Sequence, residues 1–121
     1  MHLREFERLV TQALDALPPA IQDMLDNVEV IAANFPTREQ LQTNGGSRDE
    51  LLGLYEGVPL TERGSGYGMV LPDRITIFRG PIEAICESQE ATQEQIRKTV
   101  KHELAHHFGI TDERLEELGR Y

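Results

Sequence analysis

The stretch H-E-L-A-H-H-F-G-I-T-D, residues 102–112, contains the pattern H-E-x-x-H, followed by Gly109 and Asp112 at three-residue steps. Histidines four apart on a helix, here His102 and His106, lie on one face and are separated by one turn, about 6 Å. Both imidazoles can therefore reach one ion at the Zn–N distance of about 2.0–2.1 Å. The motif predicts a zinc site.

The other polar residues of the motif predict the rest of a catalytic site. Glu103 flanks the histidine face, where it can take a proton from water as a general base without binding the metal. Gly109 suits the left-handed end of a helix, so the reversed chain can bring Asp112 back as a third, oxygen ligand. Asp112 could instead cap the next helix, in which case Glu113 and Glu116 are the alternative ligands. Three ligands and one open position are typical of catalytic zinc.

A helical wheel predicts that one face of the helix containing the motif packs in the core and that the opposite face carries the candidate metal ligands. Thr92 to Gln95 has the form T-x-x-Q, a capping box that predicts the start of this helix. Apolar residues then recur at four-residue steps along one face, and the two motif histidines fall almost opposite. The apolar stripe consists of Ile96, Val100, Leu104 and Phe108. His107 falls within this stripe, so we expect a packed or hydrogen-bonded core histidine. Thr99 and Gln95 share the ligand side, where they either line a cleft or are solvated.

Periodicity predicts helices and strands in the remainder of the chain. Apolar residues from Leu3 to Leu17 predict an amphipathic helix, which Pro18 stops, and Pro19 can open a second short helix. Predicted strands lie at Val28–Ala32, Leu51–Tyr55, Met69–Leu71 and Arg74–Phe78, with a helical turn at Ile82–Cys86 and a last helix at Thr111–Leu118. The length of the chain predicts that these elements form one domain, residues 1–121.

Two glycine-containing segments are interpreted as loops. The polar segment Phe35–Glu50, with Asn44-Gly45-Gly46-Ser47 at its centre, predicts a mobile loop that could be a flap beside the site. The run Gly64–Gly68 lacks the spacing of a nucleotide-binding loop and predicts a hairpin tip. Cys86 has no base nearby in sequence, which favours a small core residue over a nucleophile.

Composition limits the classes of partner. The net charge of −9 argues against nucleic acid and anionic membranes, because binding either needs a basic surface. The sequence contains neither an apolar run of about 18 residues nor the layout of a signal peptide. A single cysteine excludes an internal disulfide and fits a reducing compartment. We therefore expect a cytoplasmic protein.

Three segments resemble known zinc peptidases. The pattern H-E-x-x-H-x-x-G-x-x-D at residues 102–112 is similar to the metzincin motif, with Asp in place of the third His. The nine residues after Asp112 contain no Met, so a Met-turn is not expected, and the distant downstream Glu of gluzincins has no place either. Together with L-L-G-L-Y-E-G-V-P-L-T-E-R at Leu51–Arg63 and L-P-D-R-I-T-I-F-R-G-P at Leu71–Pro81, the motif resembles the minimal zincin-like metallopeptidase family of small bacterial proteins. That resemblance implies an α+β fold, in which a short, mostly antiparallel sheet packs on the motif helix beside N-terminal and C-terminal helices. It also implies a zinc site and, more weakly, peptidase activity.

The function predicted from these patterns is a zinc-dependent peptidase. His102, His106 and Asp112 would hold Zn²⁺, Glu103 would act as the base, and the partner would be a peptide or protein. Tyr67 or Tyr55 is the candidate donor to the oxyanion that develops on the carbonyl. One alternative is a zinc hydrolase of another substrate such as RNA, which the acidic composition disfavours. The other is a non-catalytic scaffold that binds metal or a partner, against which the presence of Glu103 argues.

Overall fold

The computed structural model describes residues 1–57, 73–109, 111, 113, 114 and 117. In these residues the elements follow one another as α1 (Leu3–Asp15), α2 (Pro19–Met24), β1 (Val28–Ala33), α3 (Arg38–Asn44), β2 (Gly53–Glu56), β3 (Asp73–Phe78), α4 (Arg79–Ile85) and α5 (Gln89–Phe108). The predicted α+β class is confirmed. None of the described helices combines the length and apolarity needed to cross a bilayer.

The three described strands form a mixed sheet in the order β1-β3-β2. β1 runs parallel to β3, from Val28 opposite Asp73 to Ala33 opposite Phe78, and β2 runs antiparallel to β3. The expectation of a mostly antiparallel sheet was therefore wrong for the described strands, where the longer ladder is parallel. The chain between β1 and β3 contains α3 and β2, and this length allows the return that a parallel pair requires.

The core lies between the sheet and the helices α1 and α5. Its fully buried members include Phe6, Ile21, Ile75, Ile77, Ile82, Ile96, Val100 and Leu104. The helix predicted from Leu3 onward is confirmed, and its buried residues are those with three- and four-residue spacing. Pro19 stands at the first position of α2, as predicted. This core fixes one side of α5 against the central strand.

The polar segment from Phe35 contains a helix that the loop prediction missed. α3 begins after Thr37, whose hydroxyl accepts from the Gln40 N–H while the Gln40 side chain accepts from the Thr37 N–H. This is a complete capping box, and it stabilises a short helix despite its polar composition. Gly45 ends the helix with φ of 73°.

The helix that carries the motif begins one turn earlier than the Thr92 capping box predicts. Ser88 is the N-cap of α5, and its hydroxyl accepts from the Ala91 N–H at 3.0 Å. Thr92 is a buried residue of the first turn, and its hydroxyl donates to the Ser88 carbonyl at 2.8 Å. A side chain bonded back to the preceding turn cannot cap the helix, so the assignment of Thr92 as cap was wrong.

Several predicted features lie outside the described residues. They are the hairpin tip Gly64–Gly68, the strand Met69–Leu71, the candidate donor Tyr67, the candidate ligands Asp112 and Glu116, and half of the last helix, Thr111–Leu118. Within that predicted helix, the Thr111 hydroxyl accepts from the Arg114 N–H at 3.1 Å, a contact typical of an N-cap.

Candidate active site

The two motif histidines lie on the exposed side of α5, one turn apart. Their ring centroids are 6.1 Å apart, with an angle of 30° between the ring planes. An imidazole centroid lies about 3.2 Å from an ion bound at about 2.0–2.1 Å, so two rings that share an ion at the tetrahedral angle have centroids about 5.2 Å apart. The separation of His102 and His106 is about 0.9 Å longer than this. The pair therefore lies close to the spacing of a shared zinc ion, and a small rotation of the side chains would complete it.

The end of α5 follows the predicted geometry. Gly109 has the left-handed conformation, φ 67° and ψ 30°, and its N–H donates to the Ala105 carbonyl. This left-handed cap ends α5 at Phe108, as predicted for the glycine.

Glu103 lies between the two histidines in sequence, and its side chain is half-buried. Its Oε1 accepts a hydrogen bond of 2.9 Å from the main-chain N–H of Tyr55 in β2. Burial raises the pKa of the Glu103 carboxyl, and the Tyr55 N–H and the two histidines offset part of that rise. A half-buried carboxylate with a fixed orientation is suited to proton transfer.

Tyr55 connects β2 to both β3 and α5. Its hydroxyl donates to Asp73 at 2.8 Å, and its ring stacks on His107 with centroids 3.8 Å apart. Burial, and then the hydrogen bond and charge of Asp73, raise the pKa of the Tyr55 phenol. Because the hydroxyl hydrogen points to Asp73, this arrangement does not offer it to an oxyanion. Tyr55 instead contributes its main-chain N–H to the site, a role that the sequence did not indicate.

His107 and Phe108 do not belong to the core. The His107 side chain is 40% exposed and Phe108 is 49% exposed, although both rings contact Tyr55. The prediction that His107 packs against a neighbour is confirmed, whereas its placement in the core was wrong. A helical wheel predicts the direction in which a side chain points but not how far along the helix the core extends. The last turn of α5, which contains His107 and Phe108, extends beyond the core.

Two clefts meet at Glu103. The larger has a volume of about 440 Å³ and reaches His102, and the smaller, of about 200 Å³, reaches His106. The larger is lined by Glu50, Leu51, Leu52, Gly53, Gln95, Lys98, Thr99, His102 and Glu103. The smaller is lined by Asn44, Leu54, Tyr55, Glu103, His106 and His107. Gln95 and Thr99 thus border a cleft, which is one of the two alternatives predicted for these residues.

The third metal ligand remains a prediction. Among the described residues, no three His, Cys, Asp or Glu side chains are grouped so that they could hold a metal ion. The exposed Glu113 belongs to this described part and completes no such group. Asp112 and Glu116 lie outside it. The described residues therefore bring together two candidate imidazole ligands, and Asp112 as the oxygen ligand stays a prediction.

Residues 25–120 match the sequence model of the zincin-like metallopeptidases. The chain belongs to this family. The match includes every element from β1 to α5, together with the whole H-E-x-x-H-x-x-G-x-x-D motif, and leaves α1 and α2 outside it. A comparison with curated proteins finds no match to the chain. For a zincin-like metallopeptidase, zinc binding is the general expectation, and the spacing of His102 and His106 fits it.

Proposed function

We propose that this zincin-like protein is a zinc-dependent peptidase in which His102, His106 and Asp112 hold the metal and Glu103 is the general base. The proposal depends on the burial and the hydrogen bond of Glu103. This side chain, on the flank of the histidine face, is half-buried, and the main-chain N–H of Tyr55 holds one of its oxygens at 2.9 Å. Metal binding alone does not require a carboxylate in this position, because the residue is not part of the ligand set.

The chain's own groups account for the proton transfers. A bound zinc ion supplies Lewis acidity, which polarises the substrate carbonyl and makes water a better nucleophile at neutral pH. Glu103 takes a proton from the attacking water and later gives it to the leaving amine. The Tyr55 N–H occupies Oε1 and limits rotation of the carboxylate, so Oε2 is held in one orientation for this transfer.

The two clefts favour a substrate that extends on both sides of the base. A peptide whose scissile bond lies near Glu103 would place neighbouring residues toward His102 on one side and His106 on the other. The surface charge fits a peptide better than an RNA, because the net charge of −9 would repel phosphates. We therefore propose a peptide or protein substrate, and not nucleic acid or a membrane, for a protein acting in the cytoplasm.

The experiment is hydrolysis of a mixed peptide library by the zinc-loaded protein, with and without a chelator. We expect turnover that the chelator removes and that zinc restores. Glu103→Gln should lose about 10²- to 10⁴-fold in rate because the proton acceptor is removed while the shape is kept. Glu94→Gln, on the exposed side of the same helix, is the matched control and should keep the wild-type rate.

Three results would contradict the proposal. Equal turnover by Glu103→Gln and the wild type would mean that Glu103 is not the base. A protein that binds one zinc ion but cleaves no member of the library would support the non-catalytic scaffold, and cleavage of RNA alone would support a different hydrolase.

A further inference from the structure

Strand β2 and helix α5 make two contacts in matching register. Gly53 lies against Thr99, and two residues further along the strand the Tyr55 N–H donates to Glu103, one helical turn after Thr99. Two residues of strand span about 6.6 Å. One step of four residues along a helix spans about 6.0 Å. The two contacts therefore lie side by side, and the first sets the spacing at which the second forms.

The Gly53–Thr99 contact leaves no room for a side chain on the strand. A Cβ added at Gly53 would lie 2.5 Å from the Thr99 Cγ2 and 3.2 Å from the Thr76 carbonyl oxygen. Real Cβ atoms essentially never approach another atom closer than 3.0 Å, and ordinary contacts begin at 3.4 Å. Thr99 cannot easily turn away, because it is buried and its hydroxyl donates to the Gln95 carbonyl at 2.8 Å. The close approach of β2 to α5 therefore depends on glycine at position 53.

We propose that Gly53 and Thr99 are positioning residues for Glu103, acting through the Tyr55 N–H. Their contact sets the distance between β2 and α5 at which this N–H can hold the Glu103 carboxylate. The proposal rests on the proposed function in so far as it assigns Glu103 the role of base. The spacing itself is a property of the protein without metal or substrate, so it can be tested separately.

The size of the expected displacement follows from the distances. Relief of the 2.5 Å contact to 3.4 Å moves the strand and the helix apart by about 0.9 Å. If Glu103 stays in place, its 2.9 Å bond to Tyr55 lengthens to about 3.8 Å and is no longer a hydrogen bond. If Glu103 follows the strand, the base itself is displaced by about the same amount, and a misplacement of about 1 Å can cost about 100-fold in rate.

The test uses Gly53→Ala with Gly57→Ala as the matched control. A Cβ at Gly57, just past the end of β2, would lie 3.6 Å from the nearest Asp73 oxygen, an ordinary contact. Both variants exchange the same residue types, but only Gly53→Ala should separate β2 from α5. The readouts on the metal-free protein are the NMR shift of the Tyr55 amide and its rate of hydrogen exchange. We expect exchange to accelerate by about 10-fold or more in Gly53→Ala and to stay at the wild-type rate in Gly57→Ala.

Thr99→Ser supplies a rescue. Serine keeps the hydroxyl that bonds to Gln95 and removes the Cγ2 that the new methyl group would meet. The double variant Gly53→Ala with Thr99→Ser should therefore recover most of the Tyr55 amide shift and protection. With an active preparation, Gly53→Ala should lower kcat by about 10- to 100-fold with little change in KM, and the double variant should recover most of it.

Each result bears directly on the proposal. A Tyr55 amide with wild-type shift and exchange in Gly53→Ala would overturn it, as would the absence of rescue by Thr99→Ser.

If Gly53→Ala does not fold, Glu103→Ala tests the hydrogen bond without disturbing the Gly53–Thr99 contact. That variant should expose the Tyr55 amide to faster exchange, and unchanged exchange would overturn the proposal. Because these readouts need neither zinc nor substrate, they are independent of whether the protein proves to be a peptidase.

Discussion

The two sides of α5 are held in place by different means. Ile96, Val100 and Leu104 are fully buried against the core, whereas His102 and His106 are exposed. Burial of apolar side chains supplies most of the stability of such a helix, and exposed histidines contribute little to it. The side that carries the proposed metal ligands therefore receives its rigidity from the opposite side.

Glu103 lies at the border between these two sides. It shares neither the full burial of Leu104 nor the exposure of the histidines, and a strand residue 48 positions earlier fixes its carboxylate. The comparison indicates that packing places the helix and β2 then orients the base. Substitutions of a buried residue, of a proposed metal ligand and of an exposed charge each test one part of this comparison.

Leu104→Ala should have the largest effect on stability. Truncation of a fully buried leucine removes apolar contacts and leaves a cavity, which costs about 2–5 kcal/mol of unfolding free energy. Urea denaturation of the metal-free variant measures this loss. A loss below about 1 kcal/mol would mean that this side of α5 does not depend on packing as the structure indicates.

Asp112→Asn should affect the metal far more than the fold. Asparagine caps a helix about as well as aspartate but is a weaker zinc ligand, so we expect zinc affinity to fall by about 10-fold or more, about 1.4 kcal/mol. The unfolding free energy of the metal-free protein should hardly change. If Asp112 only caps a helix, zinc affinity stays constant and Asp112→Ala instead loses about 1 kcal/mol of stability. Zinc titration and melting curves of both variants distinguish these cases.

Glu94→Gln should have the smallest effect, and that effect should depend on pH. The hydrogen bond from Arg97, at 2.6 Å, is the main reason that the pKa of the exposed Glu94 carboxyl is lowered, with smaller contributions from Lys98 and Lys101. A lowered folded-state pKa stabilises the fold above the unfolded-state pKa of about 4.3, and this contribution disappears as the pH falls through the folded-state value. At pH 7 the variant should lose about 0.2–1 kcal/mol, as for other exposed ion pairs. If the difference in unfolding free energy between Glu94→Gln and the wild type persists at pH 2, the loss does not come from the charge of Glu94.

Periodicity made much of the fold predictable. The buried residues of α1 follow from apolar spacing, the proline at the start of α2 from the preference of proline for the first helical position, and the strands β1 and β3 from their β-branched residues. The capping residues were harder to assign. Thr37 to Gln40 and Thr92 to Gln95 have the same T-x-x-Q form, yet only the first caps a helix. Burial of Thr92 decides the difference, and burial is a tertiary property.

The candidate site was predictable only in its local part. The histidine pair and Glu103 follow from four-residue spacing on one helix. The hydrogen bond from the Tyr55 N–H and the contact between Gly53 and Thr99 join segments more than 40 residues apart, and no local pattern specifies such contacts. The side-chain contacts of His107 were likewise set by Tyr55, whose ring reaches it from β2.

The most direct measurement is the zinc content of the purified protein and of the double variant His102→Ala with His106→Ala, determined by equilibrium dialysis and elemental analysis. His107→Ala, which removes the neighbouring histidine that stacks on Tyr55, is the matched control. We predict about one zinc ion per chain in the wild type and in His107→Ala, and none in the double variant. Full zinc occupancy in the double variant would place the metal elsewhere and would contradict the account of this site.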